Sequence, residues 1–227
     1  MQNNIPESEL WQQNELACGI DEVGRGPFFG PITLGFCVLK KFLTSPLLVD
    51  SKALSEKKII AANSWIKENS LFHGTVSVDN FFIQNFGINT ATEFCIAKII
   101  MLLREKNLNI KTIFADHMSL SSYNIQNTKI ICSKKGESWS PSIAAASIHA
   151  KVYRDELMKK YSNHFPGFEL ESNMGYGSKA HREKLLQRGI SLLHRTNYCQ
   201  GTLAFRSGNS SSKPAKETCK KGSRSKE

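Results

Sequence analysis

The chain has 227 residues, 40% of them hydrophobic and 22% charged, which is enough apolar material for one globular core and too much for a disordered protein. No apolar run approaches the ~18–20 residues of a membrane-spanning helix, and residues 1–15 are polar rather than basic-then-apolar, so a cytoplasmic, unexported protein is expected. Thirty Lys and Arg against 20 Asp and Glu give +10, which points to polyanionic partners, nucleic acid first.

Half of that excess lies at one end. Residues 206–227 carry seven basic side chains against Glu217 and Glu227, a net of +5, in a Ser-, Gly- and Lys-rich stretch with almost nothing to bury. A disordered basic tail is expected there, serving either solubility or non-specific contact with phosphates. The six cysteines, at 18, 37, 95, 132, 199 and 219, form no CxxC pair or zinc-type spacing and read as reduced thiols. The expected organisation is an N-terminal extension over 1–15, one domain over 16–205, and the tail.

In chain order, 16–20 predicts a strand, followed by a loop rich in Gly and Pro and a second strand at Ile32–Leu39. Ser55 is placed to cap a helix over Glu56–Asn69, and 71–78 alternates like a strand. Thr90 with Glu93 forms a capping box that opens a helix to about Lys106, with Ile96, Ile99, Ile100 and Leu103 on one face. Two short strands follow, at 111–115 and 129–132. Pro141 suits the first turn of a helix over 142–161, and Ser178 caps another over Lys179–Arg188. Strands that lead and then alternate with helices imply a single α/β domain.

The chemistry concentrates in Gly19-Ile20-Asp21-Glu22-Val23-Gly24-Arg25-Gly26-Pro27. Adjacent strand residues point to opposite faces, so both carboxylates reach one site only at a strand end. Burying them unpaired costs several kcal/mol. A hard divalent cation resolves the repulsion, since Asp and Glu without Cys or His suit Mg²⁺-like ions. The plainer alternative is a solvated strand end whose acid pairs with Arg25. The glycines miss the G-x-G-x-x-G spacing, and no G-K-[ST] follows, so a nucleotide-cofactor loop is not indicated.

These residues are part of an ordered set: Asp50-Ser51-Lys52, Ala115-Asp116, Lys135-Gly136-Glu137-Ser138, Ala144-Ala145-Ala146-Ser147-Ile148, Arg154-Asp155, Gly175-Tyr176-Gly177 and His194-Arg195. As a set, over roughly 17–198, they resemble the type 2 ribonucleases H, and within them ribonuclease HII. The resemblance implies a ribonuclease H-like α/β fold, a central mixed β-sheet flanked by helices, as the catalytic domain over 16–205. It also implies an endoribonuclease that hydrolyses RNA in RNA–DNA hybrids and cuts at ribonucleotides embedded in duplex DNA, leaving 5′-phosphate and 3′-hydroxyl ends. Asp21, Glu22, Asp116 and Glu137 would be the catalytic acids, holding two Mg²⁺ or Mn²⁺ ions. Gly24, Arg25 and Gly26 would read the sugar backbone, where the 2′-hydroxyl distinguishes RNA. Tyr176 would pack beside the ribonucleotide junction, and Lys52 would contact phosphate. The expected partners are RNA–DNA hybrid and ribonucleotide-containing duplex, with the enzyme a monomer.

Asp155 sits four residues after Lys151 and is expected to pair with it, supporting the site from behind. His181 and His194, without metal-like spacing, are expected to hydrogen-bond or to contact substrate. Three features depart from the HII pattern: Glu137 where Asp is usual, His117 after Asp116 where Gly is common, and a Phe29-Gly30-Pro31-Ile32-Thr33 run closer to ribonuclease HIII. Two alternatives follow, an HIII-like preference for longer hybrids and a non-catalytic hybrid-binding module.

Overall fold

The computed structural model describes residues 6–116, 124–125 and 128–208. Its strands are β1 (Ala17–Val23), β2 (Ile32–Leu39), β3 (Ser70–Val78), β4 (Thr112–Asp116), β5 (Asn124–Ile125) and β6 (Thr128–Ser133). They form one mixed sheet in the order β3-β2-β1-β4-β6-β5. β1 pairs antiparallel with β2 and parallel with β4, and β4 pairs parallel with β6. The helices are α1 (Glu7–Gln12), α2 (Glu56–Asn69), α3 (Asn80–Phe86), α4 (Ile88–Glu105), α5 (Pro141–His164), α6 (Leu170–Asn173), α7 (Lys179–Arg188) and α8 (Thr196–Gly208). This is the expected α/β sheet flanked by helices.

The two faces of the sheet follow strand parity. Cys18, Ile20, Ile32, Leu34, Phe36 and Val38 pack with Ile96 and Ile99 of α4. Cys37 and Leu39 face the other way, toward Ala144, Ala145 and Ile148 of α5 and Ile59 and Ile66 of α2. Every residue of β2 is therefore buried, as a central strand covered on both faces requires. α5 lies unusually close to the sheet. A Cβ at Gly19 would sit 2.1 Å from the Ser142 carbonyl carbon, and one at Gly35 2.3 Å from the Ala146 carbonyl oxygen. Glycine in the strands and alanine in the helix are what permit that approach. A third cluster, with Phe28, Phe29, Met158, Phe168, Leu170, Leu185 and Cys199, joins the second half of α5 to α6, α7 and α8.

The strand at Ile32–Leu39 and the helices over Glu56–Asn69 and Lys179–Arg188 occur with the expected bounds. Ser178 caps α7 by accepting from the His181 N–H at 3.2 Å, whereas Ser55 precedes α2 without a side-chain cap bond. The box of Thr90 and Glu93 does not open α4. That helix begins at Ile88 behind Gly87, whose φ of 85° reverses the chain directly after α3. The 1–15 extension contains α1, whose Leu10 and Trp11 are buried in the core. α8 carries helical backbone to Gly208, across the boundary expected at 205, and the rest of the basic tail lies outside the described residues. The described cysteines are unpaired, as expected, and burial pushes the Cys95 thiol up to about 12. Among the described residues no single helix is long and apolar enough to cross a membrane.

Candidate active site

Asp21 and Glu22 lie at the C-terminal end of β1, where parity sends them to opposite faces. Asp21 is hydrogen-bonded by Ser147 of α5, and its Oδ1 accepts the Glu22 N–H at 2.8 Å. Glu22 instead faces α4, where Thr92 Oγ1 lies 3.5 Å from its carboxylate, and it pairs with Arg25 at 3.2 Å. The parallel β1–β4 ladder brings Asp116 alongside, at the end of β4. Asp116 Oδ1 accepts the Gly136 N–H at 2.9 Å, which fixes the 3₁₀ turn Gly136–Ser138 and its Glu137. All four acids line one cleft of about 440 Å³, together with Gly24, Arg25, Gly26, Ser51, Ser147, Lys151, Asp155 and Tyr176.

The electrostatics of this floor are unfavourable as they stand. The Asp21 carboxyl is pushed up to about 7, chiefly by burial and further by the charges of Asp116 and Glu137, against the hydrogen bonds from Ser147 and the Glu22 N–H. Among the described residues no group of three or more His, Cys, Asp or Glu is gathered closely enough to hold a single ion. The donor set nevertheless fits one: four carboxylates with no thiolate or imidazole among them are hard oxygen ligands for Mg²⁺ or Mn²⁺.

The predicted recognition residues occupy the rim. Gly24 has φ of 84°, and a Cβ there would lie 2.7 Å from the Arg154 guanidinium, so both conformation and space require glycine. Arg25 also donates to Asn89 at the start of α4. Tyr176 is half exposed at the cleft edge beside Gly26. Asp155 forms the anticipated pair with Lys151 at 2.9 Å, and both line the cleft. Lys52 belongs to the 3₁₀ turn Ser51–Ala53, but its side chain lies outside the described residues.

Sequence reasoning assigned no role to the two arginines that hold this rim, and expected only hydrogen bonds or substrate contact of the two histidines. Arg195, fully buried, donates to the carbonyls of Gly24 (2.7 Å), Arg25 (2.8 Å) and Gly30 (2.9 Å). Arg154 donates to Pro31 O at 2.7 Å. Their named acceptors are backbone carbonyls, and burial lowers the Arg195 guanidinium to about 10. His181 and His194 are buried and bonded to each other. The Ser191 N–H donates to His194 Nδ1 (2.9 Å), and His181 Nδ1 lies 2.9 Å from the Tyr176 carbonyl. An amide can only donate and a carbonyl only accept, so His194 Nε2–H must donate to His181 Nε2 across the 3.1 Å between them. Neutral imidazoles thus tie the Tyr176 loop to the segment before α8.

A family model for ribonuclease HII matches residues 18–201, which include every acid of the cleft and every element of its rim. The chain belongs to the ribonuclease HII family. It is accordingly a ribonuclease H-type hydrolase, an enzyme class defined by action on RNA paired with DNA. Among solved structures it resembles ribonuclease H2 from Pyrococcus horikoshii OT3, with TM-score 0.67 and 22% identity over 85% of this chain and 99% of that one. Ribonuclease HII from Archaeoglobus fulgidus, solved in complex with PCNA, gives 0.66 and 23% over 81% and 94%. Bst ribonuclease HIII in complex with Mn²⁺ gives 0.59 and 22% over 85% and 70%. At these identities the likeness is one of fold.

Proposed function

We propose that this ribonuclease HII-family chain is an endoribonuclease that hydrolyses the RNA strand of RNA–DNA hybrids and cuts at ribonucleotides embedded in duplex DNA, leaving 5′-phosphate and 3′-hydroxyl ends. The observation that carries the proposal is the convergence of Asp21, Glu22, Asp116 and Glu137 on one cleft rimmed by Gly24-Arg25-Gly26 and Tyr176. Carboxylates alone repel a phosphodiester, so a cleft of this composition suits a polyanion only with cations between them. The four acids would hold two Mg²⁺ or Mn²⁺ ions, and the Mn²⁺ complex of Bst ribonuclease HIII, a fold neighbour, is consistent with that choice. When bound, such ions supply the Lewis acidity that activates water and stabilises the departing 3′ oxygen.

The residues of the chain then have separable tasks. Ser147 and the Glu22 amide orient Asp21, and Gly136 orients Asp116. Arg195 clamps the loop whose missing side chains let the main chain approach a 2′-hydroxyl. Tyr176 presents a half-exposed ring where the nucleotide beside the ribonucleotide would stack. We propose further that the active enzyme is a monomer, whose own residues supply the four acids, the Gly24-Arg25-Gly26 loop and Tyr176.

The decisive experiment compares a long RNA–DNA hybrid with duplex DNA carrying one ribonucleotide, in Mg²⁺ and in Mn²⁺. Cleavage of both is the expected result. Cleavage of the hybrid alone would assign the HIII-like specificity suggested by the Phe29-Gly30-Pro31-Ile32-Thr33 run, and binding without cleavage of either would leave only a hybrid-binding module.

A further inference from the structure

We infer that Glu7, on the helix preceding the family-matched segment, positions the Glu137 turn and thereby sets how tightly the acidic cleft holds a divalent cation. The inference rests on Glu137 being one of the metal-binding acids. Glu7 is fully buried. A carboxylate is placed there only when its acceptors are used. Its oxygens accept from Ser140 Oγ (2.8 Å), the Ser142 N–H (3.0 Å) and Ser142 Oγ (2.6 Å). Ser140 is the N-cap and Ser142 lies in the first turn of the 24-residue α5, so the acid also sits at the positive end of a long helix.

Those serines are continuous with the site. Gly136 O accepts the N–H groups of Trp139 (3.2 Å) and Ser140 (3.0 Å), closing the turn that carries Glu137, and the Gly136 N–H is held by Asp116. The turn is thus clamped at its start by a cleft acid and at its end by Glu7. α1 is fixed over it by Leu10, packed with Phe114, Ile131 and Ile143, and by Trp11, packed with Cys37, Leu39 and Ala144. A hollow of about 250 Å³ borders the turn, lined by Ser8 and Trp11 on α1 and by the chain from Glu137 to Pro141. Without Glu7 the turn has room to relax into that hollow, carrying Glu137 away from Asp21 and Asp116.

The test measures Mn²⁺ affinity by titration calorimetry in the absence of nucleic acid, alongside thermal stability, for wild type, Glu7→Ala, Glu7→Gln, Glu7→Asp and Ser142→Ala. Groups that orient metal ligands change affinity by about 10–100-fold, so Glu7→Ala should weaken Mn²⁺ binding about tenfold or more, with Glu7→Gln and Ser142→Ala smaller and Glu7→Asp in part restored. The core variants Ile99→Val and Leu185→Ala, far from the turn, should lower the melting temperature without moving Mn²⁺ affinity. If Glu7→Ala does not fold, Glu7→Gln and Ser142→Ala give the same comparison. Variants that lower the melting temperature but leave Mn²⁺ affinity at the wild-type value would show Glu7 to be an ordinary cap and overturn the inference. A wild-type chain that binds no Mn²⁺ would instead overturn the metal assignment of the cleft, and this inference with it.

Discussion

On the floor of the cleft, acids that repel one another are held by one or two contacts each: Ser147 and the Glu22 N–H on Asp21, Arg25 and Thr92 on Glu22, Gly136 on Asp116. On the rim, two buried arginines donate to main-chain carbonyls and a hydrogen-bonded histidine pair ties the Tyr176 loop to the segment before α8, although the Arg154 charge disfavours that of Arg195. The floor gains little stability from its own charges and, on the proposed function, would be completed by bound cations. The rim is complete in the free protein. On the proposed function that division is useful, since a rim that would recognise a 2′-hydroxyl benefits from being rigid before substrate arrives, and an unfinished floor would keep affinity for the ions it would hold.

The largest effect expected from this contrast is at the floor. Asp21→Asn or Asp116→Asn should lower kcat on a hybrid by about 10³-fold, or about 4 kcal/mol of transition-state stabilisation, with KM little changed. Metal-free stability should hold or rise, because each substitution removes a repelled carboxylate. Full activity in both variants, or a marked loss of melting temperature, would contradict the division. At the rim the order should reverse. Arg195→Lys leaves an ammonium that cannot span the three carbonyls of Gly24, Arg25 and Gly30. Buried carbonyls without donors cost about 1–3 kcal/mol each, so a stability loss of roughly 2–4 kcal/mol should accompany a raised KM. Denaturant titration and steady-state kinetics on one preparation separate the two classes.

What the sequence made legible follows the same line. β2, α2 and α7 were readable because their apolar runs and turn residues are local. α3 was not, because Asn80–Phe86 is an aromatic run without a helical stripe, with Phe81 and Phe86 both exposed, and its cap is Asp79 accepting from the Phe82 N–H. At the site, Asp21 and Glu22 stood out as paired acids at a strand end, whereas Asp116 and Glu137 were reachable only through family resemblance. Asp116 joins the first pair through a parallel ladder, and Glu137 through the turn bonded to Asp116, neither of which any local pattern announces. Arg154 and Arg195 were less accessible still. Their acceptors lie 123 and 171 residues away, and nothing in either neighbourhood distinguishes a buried arginine from a surface one. Glu7 looked like one more acid in a polar N-terminus.

A smaller effect should come from the neutral histidines. Burial holds His194 down to about 4 and lowers His181, and burial together with the nearby His73 and Lys67 lowers His149 to about 4. Folded pKa values below the ordinary 6.5 mean that the unfolded chain binds more protons in between, so stability is fully present above about pH 6.5 and is lost as the pH falls toward 4. Protonating His181 at Nε2 also sets N–H against N–H across 3.1 Å, and protonating His194 at Nδ1 sets it against the Ser191 N–H at 2.9 Å. Urea midpoints should fall steadily from pH 7 to 4.5, and His149→Gln should flatten part of that slope without touching the rim. A constant midpoint over the window would refute the neutral assignment of the pair.

The smallest effect should lie outside both regions. Truncation after Gly208 removes Lys213, Lys216, Lys220, Lys221, Arg224 and Lys226 with Glu217 and Glu227, a net change of −4 in charge. If the tail meets phosphates, hybrid affinity should fall severalfold and the slope of log K against log salt should flatten by about 0.9 for each phosphate that the tail had neutralised. Cut position should not move, because every group placed at the floor or rim precedes residue 208. A shifted cleavage site would mean that the tail takes part in register, and that recognition extends beyond the rim built by Arg195 and Tyr176. An unchanged salt slope would confine the tail to solubility and leave the binding of phosphates to the body of the domain.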